Sequence, residues 1–339
     1  MSSNISKTRI RIRNLVFHWK SADWTGIKER STEAGYRSLP YVAMINATWM
    51  HGASFENFFD LGFFRMPTAE RRKWLTRSLR YEITRQLNNP VRAAELKDKL
   101  TFARKFPEFI GRHVYSWADI SAMDRASVLG PVVVKPQFGH EGQGVQIVED
   151  ISTVQSLRDW VAQHLPTPHD FLFEEKIRQH PSLITLAPRS VNTLRIVTVR
   201  TGGTVDLLGV PCLKMGVNSF VDNISAGGIV AAVDADGVVR RPAVSKSIFN
   251  QSFDRHPVSQ AKILGFSVPL FHEAVALTKK IAAQLDDVRC VGWDVAIAGD
   301  RACIIEGNPA WSERILQVAL GAGLRAEADR FANTRLVYS

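Results

Sequence analysis

Two short apolar segments near the C-terminus, Val291–Ile297 and Ala302–Pro309, limit the possible fold of this chain more than any other feature. Turn-forming residues bound both segments, a pattern that predicts two β-strands. Residues 299–301 begin with a glycine and provide the turn that joins the strands as a hairpin. The C-terminal third of the chain must therefore contain a sheet to which this hairpin belongs.

The predicted hairpin carries three oxygen-bearing side chains, Asp294, Glu306 and Asn308. Because side chains alternate between the faces of a strand, Glu306 and Asn308 point the same way. A three-residue loop would place Asp294 directly opposite Glu306, where like charges repel. A divalent ion would remove this repulsion, and hard oxygen ligands suit Mg²⁺, which also binds water and phosphate. Two solvated acids on an exposed hairpin are the alternative interpretation.

Length and cysteine usage indicate the class of protein. The chain has 339 residues, enough for two or three subdomains. No apolar run approaches the roughly 18 residues of a membrane-spanning helix, and the N-terminal apolar stretch is too short for a signal peptide. Cys212, Cys290 and Cys303 lack metal-ligand spacing, which predicts buried thiols in a reducing compartment. We therefore expect a cytoplasmic protein.

Most of the excess positive charge lies before about residue 105, within a formal net charge of +10. It is densest between Arg71 and Arg85, where apolar residues at helical spacing predict an amphipathic helix with a cationic face. This face is either simply solvated or attracts an anionic substrate or a membrane surface. No nucleic-acid motif with interleaved aromatic residues accompanies it, so nucleic acid is an unlikely partner.

The chain divides by pattern into three regions, 1–97, 98–176 and 177–339. The first is predicted to be mainly helical, with an aromatic cluster between Phe55 and Phe64 and no βαβ pattern. The second mixes helices and strands, and the third is rich in strands. Residues 179–189 are predicted to be a loop. The fold class predicted is α+β.

A glycine-rich segment follows the apolar strand that ends at Lys135. It contains Gly139, His140, Gly142 and Gly144. Such loops let backbone N–H groups approach phosphate closely. A second strand follows instead of a helix, which excludes a P-loop and a dinucleotide fingerprint. The segment is therefore either a flap over phosphates, with Lys135 supplying charge, or a flexible hairpin.

Arg195 lies within an otherwise apolar strand, where an unpaired guanidinium is costly to bury. It either forms a structural ion pair or clamps an anion. Lys214 and Asn223 follow near a Gly-Gly pair and are candidates for the same cleft. Glu174 and Glu175 end another strand, at a position suited to link two lobes.

In order and spacing, these elements resemble the ATP-grasp superfamily over roughly residues 95–315. The helical N-terminal region, with Phe58–Phe63 and Leu96–Lys99, and the segment Ser190–Val197 are similar to the sugar-transfer-associated ATP-grasp family, which is linked to surface polysaccharide biosynthesis. One departure from many ATP-grasp ligases is the N-terminal third, which lacks an α/β domain.

The resemblance implies two α+β lobes that clamp ATP. Lys99 and Lys135 would contact phosphates beneath the flap, and the stretch around Glu174, Glu175, Lys176 and Ile177 would meet the adenine. Asp294, Glu306 and Asn308 would hold Mg²⁺, or Mn²⁺ in its place. Arg195, with Lys214 and Asn223 as weaker candidates, would stabilise the transferred phosphoryl group or an oxyanion.

Three functions remain open. The first is a ligase that activates a small or sugar-linked carboxylate as an acyl phosphate and joins it to an amine. The second is a phosphotransferase with a hydroxyl acceptor, since the same cleft serves a kinase. The third is a non-catalytic nucleotide-binding module that docks a partner through the basic N-terminal region.

Overall fold

The chain folds around two antiparallel β-sheets, with a group of helices from the N-terminal region against the larger sheet. A computed structural model describes residues 2–139, 142–245 and 251–331. The mixed helix and strand content confirms the predicted α+β class. The helices are α1 Ser2–Lys20, α2 Trp24–Glu33, α3 Tyr41–His51, α4 Phe55–Asp60, α5 Thr68–Arg71, α6 Arg77–Leu87, α7 Pro90–Glu95, α8 Lys99–Lys105, α9 Pro107–Ile110, α10 Trp117–Ala122, α11 Val154–His164, α12 Pro181–Leu186, α13 Phe271–Ala283, α14 Glu313–Leu320 and α15 Arg325–Ala328.

The smaller sheet has four strands in the order β1-β4-β2-β3. Strands β2 and β3 pair directly, so the glycine-rich segment between them is the connection of a hairpin, as predicted. Helices α10 and α11 bury Ile120 and Leu157 in one core with Val134 and Phe173 of the sheet. The strands are β1 Val114–Ser116, β2 Val132–Pro136, β3 Gln146–Val148 and β4 Phe171–Glu175.

The larger sheet has eight strands in the order β10-β9-β8-β7-β5-β11-β12, with β6 paired to β5. Its central strand β5 is buried over most of its length, in keeping with its apolar sequence. The strands are β5 Thr193–Thr201, β6 Thr204–Leu207, β7 Cys212–Met215, β8 Ile229–Ala232, β9 Ala243–Val244, β10 Ser252–Phe253, β11 Cys290–Ala298 and β12 Arg301–Asn308.

Helices cover both faces of the larger sheet. On one face, Phe102 and Phe106 of the α8 region and Ile281 of α13 pack in the same core as Leu194 and Trp293. On the other face, residues of α6 and α14, including Leu79 and Leu316, pack against Val197 and Val199. Arg195, Val197 and Val199 occupy every second position of β5 and therefore lie on one face of the sheet. The N-terminal helices thus support the face that also carries Arg195.

The N-terminal region is helical, with a buried aromatic cluster around Phe55, Phe58, Phe59 and Phe63. The prediction of one amphipathic helix through Trp74 is wrong: α5 ends at Arg71 and α6 begins at Arg77. In the segment between the two helices, the backbone of Leu75 exchanges hydrogen bonds with the Gln317 side chain of α14 instead of extending the helix. Among the described residues, no helix is long and apolar enough to cross a membrane.

Residues 179–189 are not only a loop, because they contain α12. Pro181 occupies the first turn, where its missing N–H is harmless, and the His180 side chain accepts a hydrogen bond from Ser182 N. The Asn192 amide group then donates to the carbonyl oxygens of Leu183 and Ala187. The segment gave no local sequence signal for the end of α12, because the capping side chain belongs to Asn192, outside residues 179–189.

The C-terminal hairpin forms as predicted, and Asp294 pairs directly with Glu306. The turn differs, since Ala298 pairs with Arg301 and leaves a two-residue loop. A β-bulge after Asp294 shifts the register by one residue and restores the predicted pairing. A two-residue loop and a bulge therefore have the same effect as the three-residue loop expected from the sequence.

Candidate functional site

Three ionisable side chains lie in one row across the larger sheet. Arg195 on β5 pairs with Asp294 on β11, and Asp294 pairs with Glu306 on β12. Directly paired residues share a face of an antiparallel sheet. Arg195 Nε donates to Asp294 Oδ1 at 2.7 Å and Nη2 donates to Oδ2 at 2.9 Å. Of the two interpretations of Arg195, the structure shows the ion pair, with two of its nitrogens committed to Asp294.

Lys214 on β7 joins this row from the side. Its Nζ lies 3.2 Å from Asp294 Oδ2 and 3.3 Å from Asp222 Oδ1. Asp222 in turn accepts hydrogen bonds from the backbone N–H and the hydroxyl of Thr193. Arg195, Lys214, Asp222 and Asp294 are all buried, and two cations balance two carboxylates. We call these four residues the charge network.

The charge network shifts the pKa values of its members. Burial raises the pKa of Asp294, but Arg195 and Lys214 outweigh burial and hold it well below the usual carboxyl range. Burial lowers the pKa of Lys214, but the carboxylates of Asp222 and Asp294 outweigh burial, so the net change is upward. Burial raises the pKa of Asp222, only partly offset by Lys214. Lys214 and Asp294 therefore stay ionised at neutral pH.

Glu306 and Asn308 face the open side of this row and are half-buried. Asn308 Nδ2 donates to Glu306 Oε1 at 3.0 Å, so the two side chains meet as the sequence predicted. A carboxylate oxygen and an amide oxygen on one partly exposed face suit a hard divalent cation. Both oxygens of Asp294 already bind cationic side chains, which makes Asp294 the least available of the three predicted metal ligands. Its ligand role stays a prediction.

The smaller sheet contributes a second ionic cluster. Lys135 Nζ lies 2.7 Å from Glu174 Oε1. Arg112 donates to the other oxygen, Oε2, from both Nε and Nη2. Its third nitrogen, Nη1, donates to the carbonyl of Ile304 on β12 at 3.1 Å. Arg112 thus ties the strand that carries Glu174 to the strand that carries Glu306.

Lys99, at the start of α8, anchors the base of the glycine hairpin. Its Nζ donates to the carbonyl oxygens of Gly139 at 2.9 Å and Pro136 at 3.3 Å. Asp98 caps the helix and accepts a hydrogen bond from the Gln137 side chain at 2.9 Å. The hairpin base is therefore fixed to α8 by two adjacent residues.

Electrostatics link the two sheets at the same place. Burial lowers the pKa of Lys99, and Lys135 lowers it further, while the carboxylates of Glu306 and Glu174 oppose the change. Lys99 is thus close enough to Glu306 and to the Lys135–Glu174 pair for their charges to act on it. The fold has brought together the predicted phosphate-binding lysines and the predicted metal-binding carboxylate from segments about 200 residues apart in the sequence.

The glycines of the hairpin adopt backbone conformations that other residues rarely reach. Gly142 and Gly144 have φ of 73° and 71°, in the left-handed region. A Cβ built on Gly142 would lie 2.7 Å from Val221 Cγ1, so the hairpin touches the loop before Asp222. Gly139 has φ of 142°. His140 lies outside the described residues.

The link between the sheets runs through Glu175, Lys176 and Ile177. Glu175 is exposed, and its backbone N–H donates to His113 O at 3.0 Å. Lys176 forms an ion pair with Glu149, the residue directly after β3. Ile177 is half-buried. These backbone groups lie at the lobe junction, where the resemblance expects adenine, and that role stays a prediction.

Asn223 stands beside the charge network rather than within it. Its backbone carbonyl closes the turn that leads to Gly228, and its side chain is half-buried.

Sequence reasoning missed Arg112 and Asp222, although both are central to the ionic clusters. Their only sequence signal is charge inside apolar surroundings, and many surface residues share it. Burial also raises the pKa of the Cys212 thiol to about 12, so this neighbour of Arg195 stays protonated.

The smaller sheet, with its lysine and glycine hairpin, is tied through Arg112 to the strand that carries Glu306, an arrangement that fits the ATP-grasp class. The sequence model of the sugar-transfer associated ATP-grasp family matches residues 78–333, and the chain belongs to that family. The match covers the charge network, the glycine hairpin and both sheets. No curated protein matches the chain.

Several ligases are among the solved structures that resemble this chain. A D-alanine–D-alanine ligase from Helicobacter pylori shares 10% identity at a TM-score of 0.40, over 70% of this chain and 61% of the ligase. The Bacillus anthracis D-alanine–D-alanine ligase complexed with ATP shares 12% identity at 0.39, over 74% and 69%. An L-amino acid ligase from Bacillus licheniformis shares 14% identity at 0.36, over 67% and 43%. This chain thus spans less than two thirds of the first ligase, and these distant likenesses identify no substrate.

Proposed function

We propose that this protein is an ATP- and Mg²⁺-dependent ligase that joins a carboxylate to an amine. The carboxylate is first activated as an acyl phosphate, and one of the two reactants is a sugar or a sugar-linked envelope precursor. The reaction takes place in the cytoplasm. Membership of a sugar-transfer associated ATP-grasp family supports the class of substrate.

One observation carries the proposal: the cations suited to a triphosphate lie on the smaller-sheet side, and Arg112 ties that side to the strand that carries the ligands suited to its metal. Lys99 and Lys135 belong to the glycine-hairpin side, and Glu306 with Asn308 belongs to the larger sheet. The charges of Lys135 and Glu306 both shift the pKa of Lys99. Phosphoryl transfer needs this arrangement, because catalysis consists mainly of positioning and of neutralising charge on phosphate oxygens.

The proposed reaction has two balanced steps. A carboxylate oxygen of the first substrate attacks the γ-phosphorus of ATP, and the bond to the β-phosphate oxygen breaks to release ADP. The nitrogen of the amine then attacks the acyl carbon, inorganic phosphate leaves with its bonding electron pair, and the nitrogen loses a proton. The product is an amide, and no oxidant or reductant is required.

The chain's own residues supply the charge that these steps need. Lys99 and Lys135 neutralise phosphate oxygens beneath the glycine hairpin. Arg195 presents Nη1, the nitrogen not bonded to Asp294, to the transferred phosphoryl group or to the oxyanion. Lys214 helps to hold the Arg195 side chain in place, because both cations bind the carboxylate of Asp294. Glu306 and Asn308 would hold Mg²⁺, which when bound neutralises charge on the phosphates.

An isotope experiment tests the proposal. The protein is screened for ADP release with candidate amino acids, sugar acids and amino sugars, and an active carboxylate is then supplied labelled with ¹⁸O. A ligase transfers one labelled oxygen to the released phosphate, because the acyl phosphate breaks at its C–O bond. A stable phosphorylated hydroxyl product, with ADP but no free phosphate, would identify a kinase, and unlabelled free phosphate would indicate ATP hydrolysis and reject the ligase. ATP binding without ADP release across the whole screen would identify a binding module.

A further inference from the structure

The outer face of α1 combines exposed apolar and basic side chains. Ile12, Val16 and Trp19 are 50%, 47% and 47% exposed, although each is large and hydrophobic. Arg9, Arg13 and Lys20 are exposed on the same helix. Apolar residues left in water in this number on one helix indicate a surface that is covered under some condition. We call these six residues the anchor face.

Helix geometry places the six residues of the anchor face side by side. At about 100° per residue, they span an arc of about 120° around the helix axis. The buried residue His18, which contacts Ser78 of α6 at 2.8 Å, lies on the opposite side. The sequence of α1 contains five Lys and Arg residues and no Asp or Glu. The anchor face is therefore both apolar and cationic.

The anchor face continues onto the start of α3. The rings of Trp19 and Tyr41 have centroids 6.1 Å apart, and the next residue, Val42, is 84% exposed. Trp19 also contacts the rings of Trp24 at 4.9 Å and Phe55 at 5.9 Å, which fix it to the aromatic cluster of the N-terminal region. The surface is thus formed in advance and does not depend on folding during binding.

The cationic stretch that the sequence singled out between Arg71 and Arg85 is a weaker candidate for anion attraction. Carboxylates lie beside most of its cations, in the pairs Lys73–Glu70, Arg77–Glu56, Arg80–Glu313 and Arg85–Glu82. Such pairing neutralises much of the positive field at that surface. Helix α1 is therefore a better candidate for an anionic contact than this stretch.

We propose that the anchor face docks the protein onto a lipid bilayer with anionic headgroups. A bilayer interface offers negative phosphates to Arg9, Arg13 and Lys20, and hydrocarbon to the apolar residues beside them. Tryptophan and tyrosine are the residues that favour this interface. The helix lies on the membrane and does not cross it, in agreement with its charge.

Two other occupants fit the face less well. Nucleic acid would satisfy the three cations but would leave Ile12 and Val16 in water. A second copy of the chain would bring two sets of like charges together, which opposes association. A bilayer satisfies both properties of the face at once.

Vesicle sedimentation of the full chain tests the proposal. Wild-type protein should sediment with vesicles of phosphatidylcholine containing about one third phosphatidylglycerol, and much less with phosphatidylcholine alone. Each basic residue near such a surface contributes about fivefold in partitioning, so loss of three positive charges costs about 100-fold, and their reversal to Glu should reduce binding by at least that factor. The variants are Arg9→Glu/Arg13→Glu/Lys20→Glu for charge and Ile12→Asn/Val16→Asn for the apolar stripe.

A matched control reverses three exposed cations elsewhere, Arg125→Glu/Lys262→Glu/Lys279→Glu, and should retain vesicle binding. All variants change exposed residues, and unchanged thermal melting confirms their fold. The proposal is overturned by absence of wild-type binding to anionic vesicles, or by equal losses in the control.

Wild-type affinity for a polyanion that survives Ile12→Asn/Val16→Asn, with no vesicle binding, would assign the face to nucleic acid. Dimerisation lost in the apolar variant, again without vesicle binding, would assign it to a second copy. The assay does not measure ATP turnover, so its result is independent of the proposed ligase activity.

Discussion

Replacing Asp294 by asparagine should destabilise the protein even without nucleotide or metal. Both carboxylate oxygens bind cations, Arg195 at 2.7 Å and 2.9 Å and Lys214 at 3.2 Å. Arg195 is 6% exposed and Lys214 is 2% exposed. Asp294→Asn keeps the shape of the side chain but removes the charge that balances two buried cations.

The magnitude follows from this burial. Removing one partner of a buried ion pair costs about 3–5 kcal/mol of unfolding free energy, because the other charge stays buried and unpaired. For a chain of this size, that loss corresponds to a fall in melting temperature of roughly 4–7 °C. Asp286→Asn is the matched control, since its carboxylate is exposed and binds Arg200 on the surface. The control should change unfolding free energy by about 1 kcal/mol or less.

A double-mutant cycle measures the coupling directly. Asp294→Asn, Arg195→Met and the double variant are unfolded in urea with a metal chelator present. The double variant should be more stable than the sum of the single losses predicts, by about 1–3 kcal/mol, because the unpaired charge is gone.

Neutral pH is the appropriate condition for this cycle. The carboxyl pKa of Asp294 is lowered on folding, so its contribution is present above the unfolded value and is lost as pH falls through the folded value. The pKa of Lys214 is raised, so its contribution is present below the unfolded value and is lost as pH rises through the folded value. Both contributions are therefore complete at pH 7. If Asp294→Asn melts with the wild type in chelator but loses Mg²⁺-dependent ADP release, Asp294 is a metal ligand and our reasoning is refuted.

Three further predictions concern the metal site, the glycine hairpin and the N-terminal helices. Glu306→Gln should abolish ADP release with unchanged melting, whereas Glu108→Gln, at an exposed position of α9, should leave both unchanged; equal turnover in the two variants would remove Glu306 from the site. Gly142→Val should raise the KM for ATP tenfold or more, since it strains a left-handed backbone and meets a side chain 2.7 Å away; an unaltered KM would show that the hairpin does not close on nucleotide. Burial, with Arg77 and Arg80, lowers the pKa of His18 from 6.5 to about 3, so the unfolded chain alone binds the proton between these values. His18 should therefore contribute a loss of stability that approaches about 1.4 kcal/mol per unit of acidification between pH 6.5 and about 3, and His18→Gln should reduce the slope by that amount in urea titrations; an identical slope would contradict the assignment.

Local patterns in the sequence determined several parts of the site. Alternation along a strand placed Glu306 and Asn308 together, and the strands on either side of the glycines identified a hairpin rather than a phosphate-binding helix start. These features depend on neighbours two to four residues apart, which a sequence displays directly.

Only the tertiary structure decided which charges meet. Arg195 reaches Asp294 across 99 residues, and Arg112 reaches Glu174 across 62 and Ile304 across 192. The energies of these pairs depend on burial and on distances near 3 Å, which are properties of packed sheets and not of local sequence. For the same reason, the sequence showed that α1 is rich in basic and apolar residues, whereas only the packing of its opposite side against α6 decided which of them face outward.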